Sequence, residues 1–127
     1  MVAAALIDGE GRVLLQQRSP GRAMAGLWEF PGGKVERGER PEAALVRELD
    51  EELGIMVEAE SLLPAAFASA DNAGRHMLLL LYLCREWLGE PGALDAAALA
   101  WVRPAEMAAL PMPPADEPLI PLLERLI

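Results

Sequence analysis

Residues 32–55, GGKVERGERPEAALVRELDEELGI, restrict the fold of this chain more than any other stretch. Pro41 suits a first helical position, because its missing N–H would have no partner there and its φ is already near helical. Glu42 puts negative charge at the positive end of the helix dipole. Ala43, Ala44 and Leu45 are good helix formers, and Gly54 is a natural stop just past a last turn. The pattern predicts a helix over 41–53. On it Leu45, Leu49 and Leu53 recur every four residues as a buried stripe. Glu48, Glu51 and Glu52 stand at i, i+3 and i+4 and share the side next to that stripe. Like charges at this spacing repel. Arg47 can pair with Glu51 at i+4, but one arginine does not neutralise three carboxylates. Such a cluster is either a solvated acidic face or a set of hard oxygen ligands for Mg²⁺ or Mn²⁺. The preceding Pro31-Gly32-Gly33-Lys34 favours the second reading, since glycines let a backbone turn sharply and approach a ligand closely.

The rest of the chain limits what that helix can serve. At 127 residues it forms one domain, residues 1–127, with a core of its own, and 53% hydrophobic residues exclude disorder. No apolar run spans a bilayer and the first residues lack a basic segment, so neither a membrane span nor a signal peptide is expected. A single cysteine allows no internal disulfide, which suits a reducing cytoplasm. Cys84 lies in an apolar run and reads as core. A net charge of −9 argues against binding polymeric nucleic acid. It leaves room for a free nucleotide whose phosphates are bridged by a divalent metal. No P-loop, zinc-spaced cysteine pair or Ser/His/Asp set can be assembled around one histidine and one cysteine.

Taken in order, residues 2–7 and 12–17 read as strands, joined by the turn signal Asp8-Gly9-Glu10-Gly11 into a hairpin. Residues 19–26 read as a loop and 27–30 as a short strand. After the helix, 55–58 and 62–69 read as strands, and Asp71-Asn72-Ala73-Gly74 as a turn. Residues 76–85 form an apolar run whose length favours a fully buried central strand. Residues 86–98 read as a loop, 99–102 as a last strand, 104–110 as a short helix and 118–126 as a terminal helix. That order suggests an α+β fold or a mixed sheet sandwiched by helices.

Residues 33–55 resemble an intact Nudix box with every fixed position filled. The flanks are similar to the MutT-type 8-oxo-dGTP diphosphatase branch of the Nudix hydrolases, so the resemblance covers nearly all of the chain. It implies an α/β/α sandwich around a mixed sheet. It implies attack of water on a nucleoside triphosphate, with release of a nucleoside monophosphate and pyrophosphate. Glu48, Glu51 and Glu52 are the expected ligands of Mg²⁺ (or Mn²⁺), one of them serving as base, with the Gly32 carbonyl joining the shell. Arg47 would orient the glutamates through charge-assisted hydrogen bonds. Gly33 and Glu39 would support the loop. By the same resemblance Arg18, Phe30, Lys34, Arg75 and Asp116 would hold substrate. Asp95 would bring an extra carboxylate to the metal, with Glu90 as the alternative.

Asp116 also reads as a residue near a helix N-cap. The branch commonly has asparagine at this place. An ionised aspartate only accepts hydrogen bonds, so it suits the N1–H and N2–H₂ edge of guanine better than cytosine, unless it is protonated. The leading expectation is therefore hydrolysis of 8-oxo-dGTP, a reaction of nucleotide-pool sanitisation and mutation avoidance. A Nudix enzyme for CTP or modified dCTP is the alternative, since relatives of that kind also carry Pro-Ala-Asp here. A non-catalytic nucleotide-binding module is a third reading, against which the intact box speaks. A cytoplasmic monomer or weak dimer is expected.

Overall fold

The computed structural model describes residues 1–72 and 74–127. Helix α1 runs Pro41–Leu53, as its end signals predict. Arg40 is extended before Pro41, and Gly54 closes the helix in the left-handed region at φ 71°, its N–H donating to the Asp50 carbonyl at 2.9 Å. Leu45, Leu49 and Leu53 are fully buried. Burying a leucine of this kind is worth roughly 1.5–3 kcal/mol, so the stripe pins the helix to the sheet.

Among the described residues, seven strands form two sheets. They are β1 (Val2–Leu6), β2 (Val13–Gln17), β3 (Trp28–Glu29), β4 (Gly32–Gly33), β5 (Leu63–Asn72), β6 (Arg75–Cys84) and β7 (Ala98–Val102). The larger sheet has the order β4-β1-β6-β5 and the smaller β3-β2-β7. β1 is parallel to β6 and antiparallel to β4, so the sheet is mixed. Every residue of β1 is buried. Ala3 and Ala5 join one core cluster with Leu81 of β6 and Leu119 and Leu123 of the terminal helix α2 (Leu119–Leu126). Val2, Ala4 and Leu6 join the other, with Leu45, Leu49 and Leu53 of α1. The two helices therefore cover opposite faces of the larger sheet, and the α/β/α arrangement is the one expected.

Some local expectations need correction. Residues 2–7 and 12–17 are not a paired hairpin. They meet at one bridge, Ile7 to Val13, and then part into different sheets. The Asp8 carboxylate tightens the turn by accepting the amides of Glu10 and Arg12 at 2.9 and 2.8 Å. A strand buried on both faces needs neighbours on both edges, and β1 finds them in β4 and β6. Residues 55–58 make only a bridge from Met56 to Leu88, followed by a 3₁₀ turn at Ala59–Ser61. β6 is central, but only its second half is buried, and Leu78 is half exposed. The short helix at Pro104–Ala109 is 3₁₀ rather than α. Of the turn expected over 71–74, Ala73 lies outside the described residues, while β5 runs through Asn72 and β6 begins at Arg75. Cys84 is buried as expected.

Candidate active site

The loop that enters α1 is shaped by Arg47. Its guanidinium grips both oxygens of Glu39 at 2.9 and 3.0 Å, reaches Glu48 at 2.9 Å and donates to the Lys34 carbonyl at 3.1 Å. Glu39 also accepts the Glu36 amide at 3.0 Å. Hydrogen bonding from Arg47 holds the Glu39 carboxyl down at about 2, so the tie between loop and helix stays ionised. The anticipated i+4 partner of Arg47, Glu51, is held more loosely than Glu39 and Glu48, at 3.6 Å. Arg47 thus ties the 33–40 loop to the first turns of the helix and at the same time fixes Glu48.

Gly33 makes room for this. A Cβ there would collide with the Glu48 carboxylate, standing 2.6 Å from each of its oxygens. At Gly32 a Cβ would run into the Val2 carbonyl and lie 2.7 Å from the Ala3 Cα, which is how two glycines become the strand β4 against β1.

The three glutamates differ sharply in surroundings. The Glu51 side chain is 59% exposed, that of Glu48 is 17% exposed, and Glu52 is buried. Gln16, a buried amide on β2, donates to one oxygen of Glu52 at 2.5 Å. The second oxygen of Glu52 is buried with no hydrogen-bond partner. Burial pushes the Glu52 carboxyl up to about 8, opposed by the Gln16 amide and reinforced by the Glu48 carboxylate. A buried carboxylate oxygen left unpaired beside a second carboxylate fits a hard divalent cation, which would repay the desolvation. Among the described residues no three acidic, histidine or cysteine side chains already converge at ligand distance. Glu48 and Glu52 could hold the ion from within, and Glu51 from the solvent side.

Glu48 and Glu52 open onto a cleft of about 450 Å³, a size suited to a nucleotide. Gly32, Gly33, Lys34, Glu48 and Glu52 line it, together with Arg18, Glu29, Phe30 and Asp116. Phe30 is buried, and its backbone N–H donates to Asp116 at 3.2 Å. Asp116 therefore ties the 113–116 segment to Phe30; α2 begins at Leu119, with Pro118 as its N-cap residue and no side-chain cap. Burial pushes the Asp116 carboxyl up to about 7; the Phe30 amide opposes this and the nearby Glu29 adds to it.

Arg18 lines the cleft but is largely committed. It donates to both oxygens of Glu29 at 3.1 and 3.3 Å and, through Nε, to the Ala23 carbonyl at 2.6 Å. Lys34 is exposed at the cleft edge. Arg75 is exposed near the turn of the β5–β6 hairpin and does not line the cleft; Asp71, Met77 and Leu79 of that hairpin do. Asp95 lines the cleft, paired with Arg22 at 2.6 Å, whereas Glu90 does not. The same hairpin does bring together a Ser/His/Asp set. Ser69 Oγ lies 2.7 Å from His76 Nε2, and His76 Nδ1 lies 3.5 Å from Asp71. The His76 and Asp71 side chains are 66% and 88% exposed, as in a solvated cross-strand contact.

Sequence reading passed over Gln16 and Glu29. Both lie on adjacent strands, Gln16 opposite Glu29 in the β2–β3 ladder, and Gln16 Nε2 also approaches Glu29 at 3.4 Å. The signal available was the polar pair Gln16-Gln17 ending an otherwise apolar strand.

The NUDIX domain family matches residues 1–123. A CTP pyrophosphohydrolase of Escherichia coli K12 is 43% identical over 119 residues, covering 94% of this chain and 87% of the relative. An 8-oxo-dGTP diphosphatase of the same organism is 37% identical over 126 residues, covering 98% and 96%. The solution structure of the E. coli ORF135 protein superposes with a TM-score of 0.86 at 40% identity, covering 98% of this chain and 87% of that one. With its box folded as described and likeness of this extent, the chain is a member of the Nudix hydrolase family.

Proposed function

We propose that the protein is a divalent-metal-dependent nucleoside triphosphate pyrophosphohydrolase whose preferred substrate is 8-oxo-dGTP. The observation that carries this reading is that Asp116 and Phe30 line the same cleft as Glu48 and Glu52. Glu48, Glu51 and Glu52, with the Gly32 carbonyl, would hold Mg²⁺ or Mn²⁺. The ion supplies charge neutralisation on the phosphates and a more acidic water. Arg47 holds Glu48 in place. Glu52 keeps one buried oxygen without a hydrogen-bond partner, free to meet the ion. Asp116 and the surroundings of Phe30 read the base, and Lys34 meets the phosphates.

The 8-oxoguanine preference rests on an ionised Asp116 accepting the two donors of the guanine edge. A second reading, a cytidine nucleotide, gains from the burial of Asp116. A carboxyl with a pKa of about 7 is partly protonated at neutral pH and can then donate to a cytosine acceptor. Pyrophosphate release with Mg²⁺ from 8-oxo-dGTP, dGTP, CTP and 5-methyl-dCTP separates the two. A kcat/KM for 8-oxo-dGTP well above the other three supports the first reading. Preference for CTP or 5-methyl-dCTP, growing as pH falls from 8 to 6, establishes the second. Tight metal-dependent binding without pyrophosphate release would overturn both.

A further inference from the structure

We propose that Arg22 binds the phosphate chain of the nucleotide, and that Asp95 positions it; the inference rests on the nucleotide reading above. The cleft is crowded with carboxylates: Glu29, Glu48, Glu52, Asp95 and Asp116 all line it. A polyanionic phosphate chain needs cations there, and three basic residues are available: Arg18, Arg22 and Lys34. Arg18 spends its guanidinium on Glu29 and the Ala23 carbonyl. Arg22 has one engagement, from NH2 to one oxygen of Asp95 at 2.6 Å, and its side chain is 55% exposed. The remaining donors of its planar fork suit a phosphate oxygen pair.

The loop that carries Arg22 is built to hold a fixed shape. Its neck is closed by the Arg18 amide on the Leu27 carbonyl at 2.9 Å and the Gly26 amide on the Arg18 carbonyl at 3.0 Å. Its interior is braced by the Arg18 Nε bond to Ala23. Ser19 Oγ donates to the Asp95 carbonyl at 2.7 Å, so the Asp95 loop is held by two contacts from this segment. Met24, also lining the cleft, sits at φ 57°, the left-handed region that costs a side-chain-bearing residue free energy. Asp95 acts through Arg22 as a positioning residue: its carboxylate aims a guanidinium that would otherwise swing freely.

The test is calorimetric binding with Mg²⁺ of two probes, 8-oxo-dGMP and the α,β-methylene analogue of dGTP, to wild type, Arg22→Gln, Arg22→Lys and Asp95→Asn. Loss of a charge-assisted phosphate contact should weaken the triphosphate analogue about tenfold or more in Arg22→Gln. The monophosphate should weaken far less, Arg22→Lys should recover part of the loss, and Asp95→Asn should fall between. Unchanged affinity in Arg22→Gln, or equal loss for both probes, would overturn the proposal. If wild type binds neither guanine probe, the 8-oxo-dGTP reading fails, a result separable from failure of the Arg22 assignment, which is then read in the same way with CMP and the α,β-methylene analogue of CTP. Arg22 lies on an exposed loop, so circular dichroism should report an unchanged fold in every variant.

Discussion

Asp116 is a buried carboxyl with one hydrogen bond, from the Phe30 amide, and its pKa is raised from an ordinary 3.8 to about 7. Between those two values the folded protein holds a proton that the unfolded chain has released. Stability therefore falls as pH rises from about 4 to about 7 and levels off above it, by an amount on the order of a few kcal/mol. Asparagine keeps an acceptor for the Phe30 amide and cannot ionise. Asp116→Asn should be more stable than wild type at pH 8, by roughly 1–3 kcal/mol in urea unfolding, and the gain should vanish near pH 4. A gain of equal size at both pH values would show that Asp116 does not titrate in the folded protein. Glu51 is the opposite case. It is mostly exposed and held only by Arg47 at 3.6 Å, so Glu51→Gln should leave the unfolding midpoint unchanged. If it is a metal ligand, kcat should still drop roughly a hundredfold or more. Near-normal turnover would remove Glu51 from the metal site.

At the scale of elements, two glycines that flank α1 do different work, and their alanine variants should part company. Gly33 has no positive φ, so its backbone tolerates a side chain; what a Cβ meets is the Glu48 carboxylate. Gly33→Ala should lower kcat/KM more than about tenfold by displacing Glu48, with less than about 1 kcal/mol of stability lost. Gly54 is left-handed at φ 71° and ends the helix without lining the cleft. Gly54→Ala should cost about 1 kcal/mol in stability and leave kcat/KM within about twofold. The reverse pattern would mean that Gly33 serves the fold alone. The helix was legible in sequence to the residue because its signals are local: Pro41 at the start, Gly54 at the end, three leucines between. β4 was not, since Gly32 and Gly33 have no side-chain periodicity to read. They become a strand only because β1 lies where a Cβ would have to be. The box likewise announced Glu48 and Glu52, which lie on one helix. Gln16 and Glu29 reach the site only through the β2–β3 ladder, and a pairing between strands leaves no mark within either one.

The molecule as a whole sets charge against its own substrate. A net charge of −9 surrounds a cleft that must admit a polyanion, while Arg18, Arg22 and Lys34 offer short-range attraction inside it. The two act over different distances. Repulsion by the whole surface is felt at the approach and is screened beyond a Debye length of about 8 Å at 0.15 M salt. Contact between a guanidinium and a phosphate is closer than that and is screened less. Raising KCl from about 0.01 to about 0.15 M, with Mg²⁺ held saturating, should therefore raise kcat/KM for a nucleoside triphosphate by roughly twofold to fivefold. The change should reside in KM, because kcat reports groups already in contact. The same titration on Arg22→Gln should give at least as steep a rise, since removing a local cation leaves the repulsion less opposed. A kcat/KM that falls with salt would mean that the cleft cations, three of the eleven basic residues in the chain, outweigh the acidic surface even at long range.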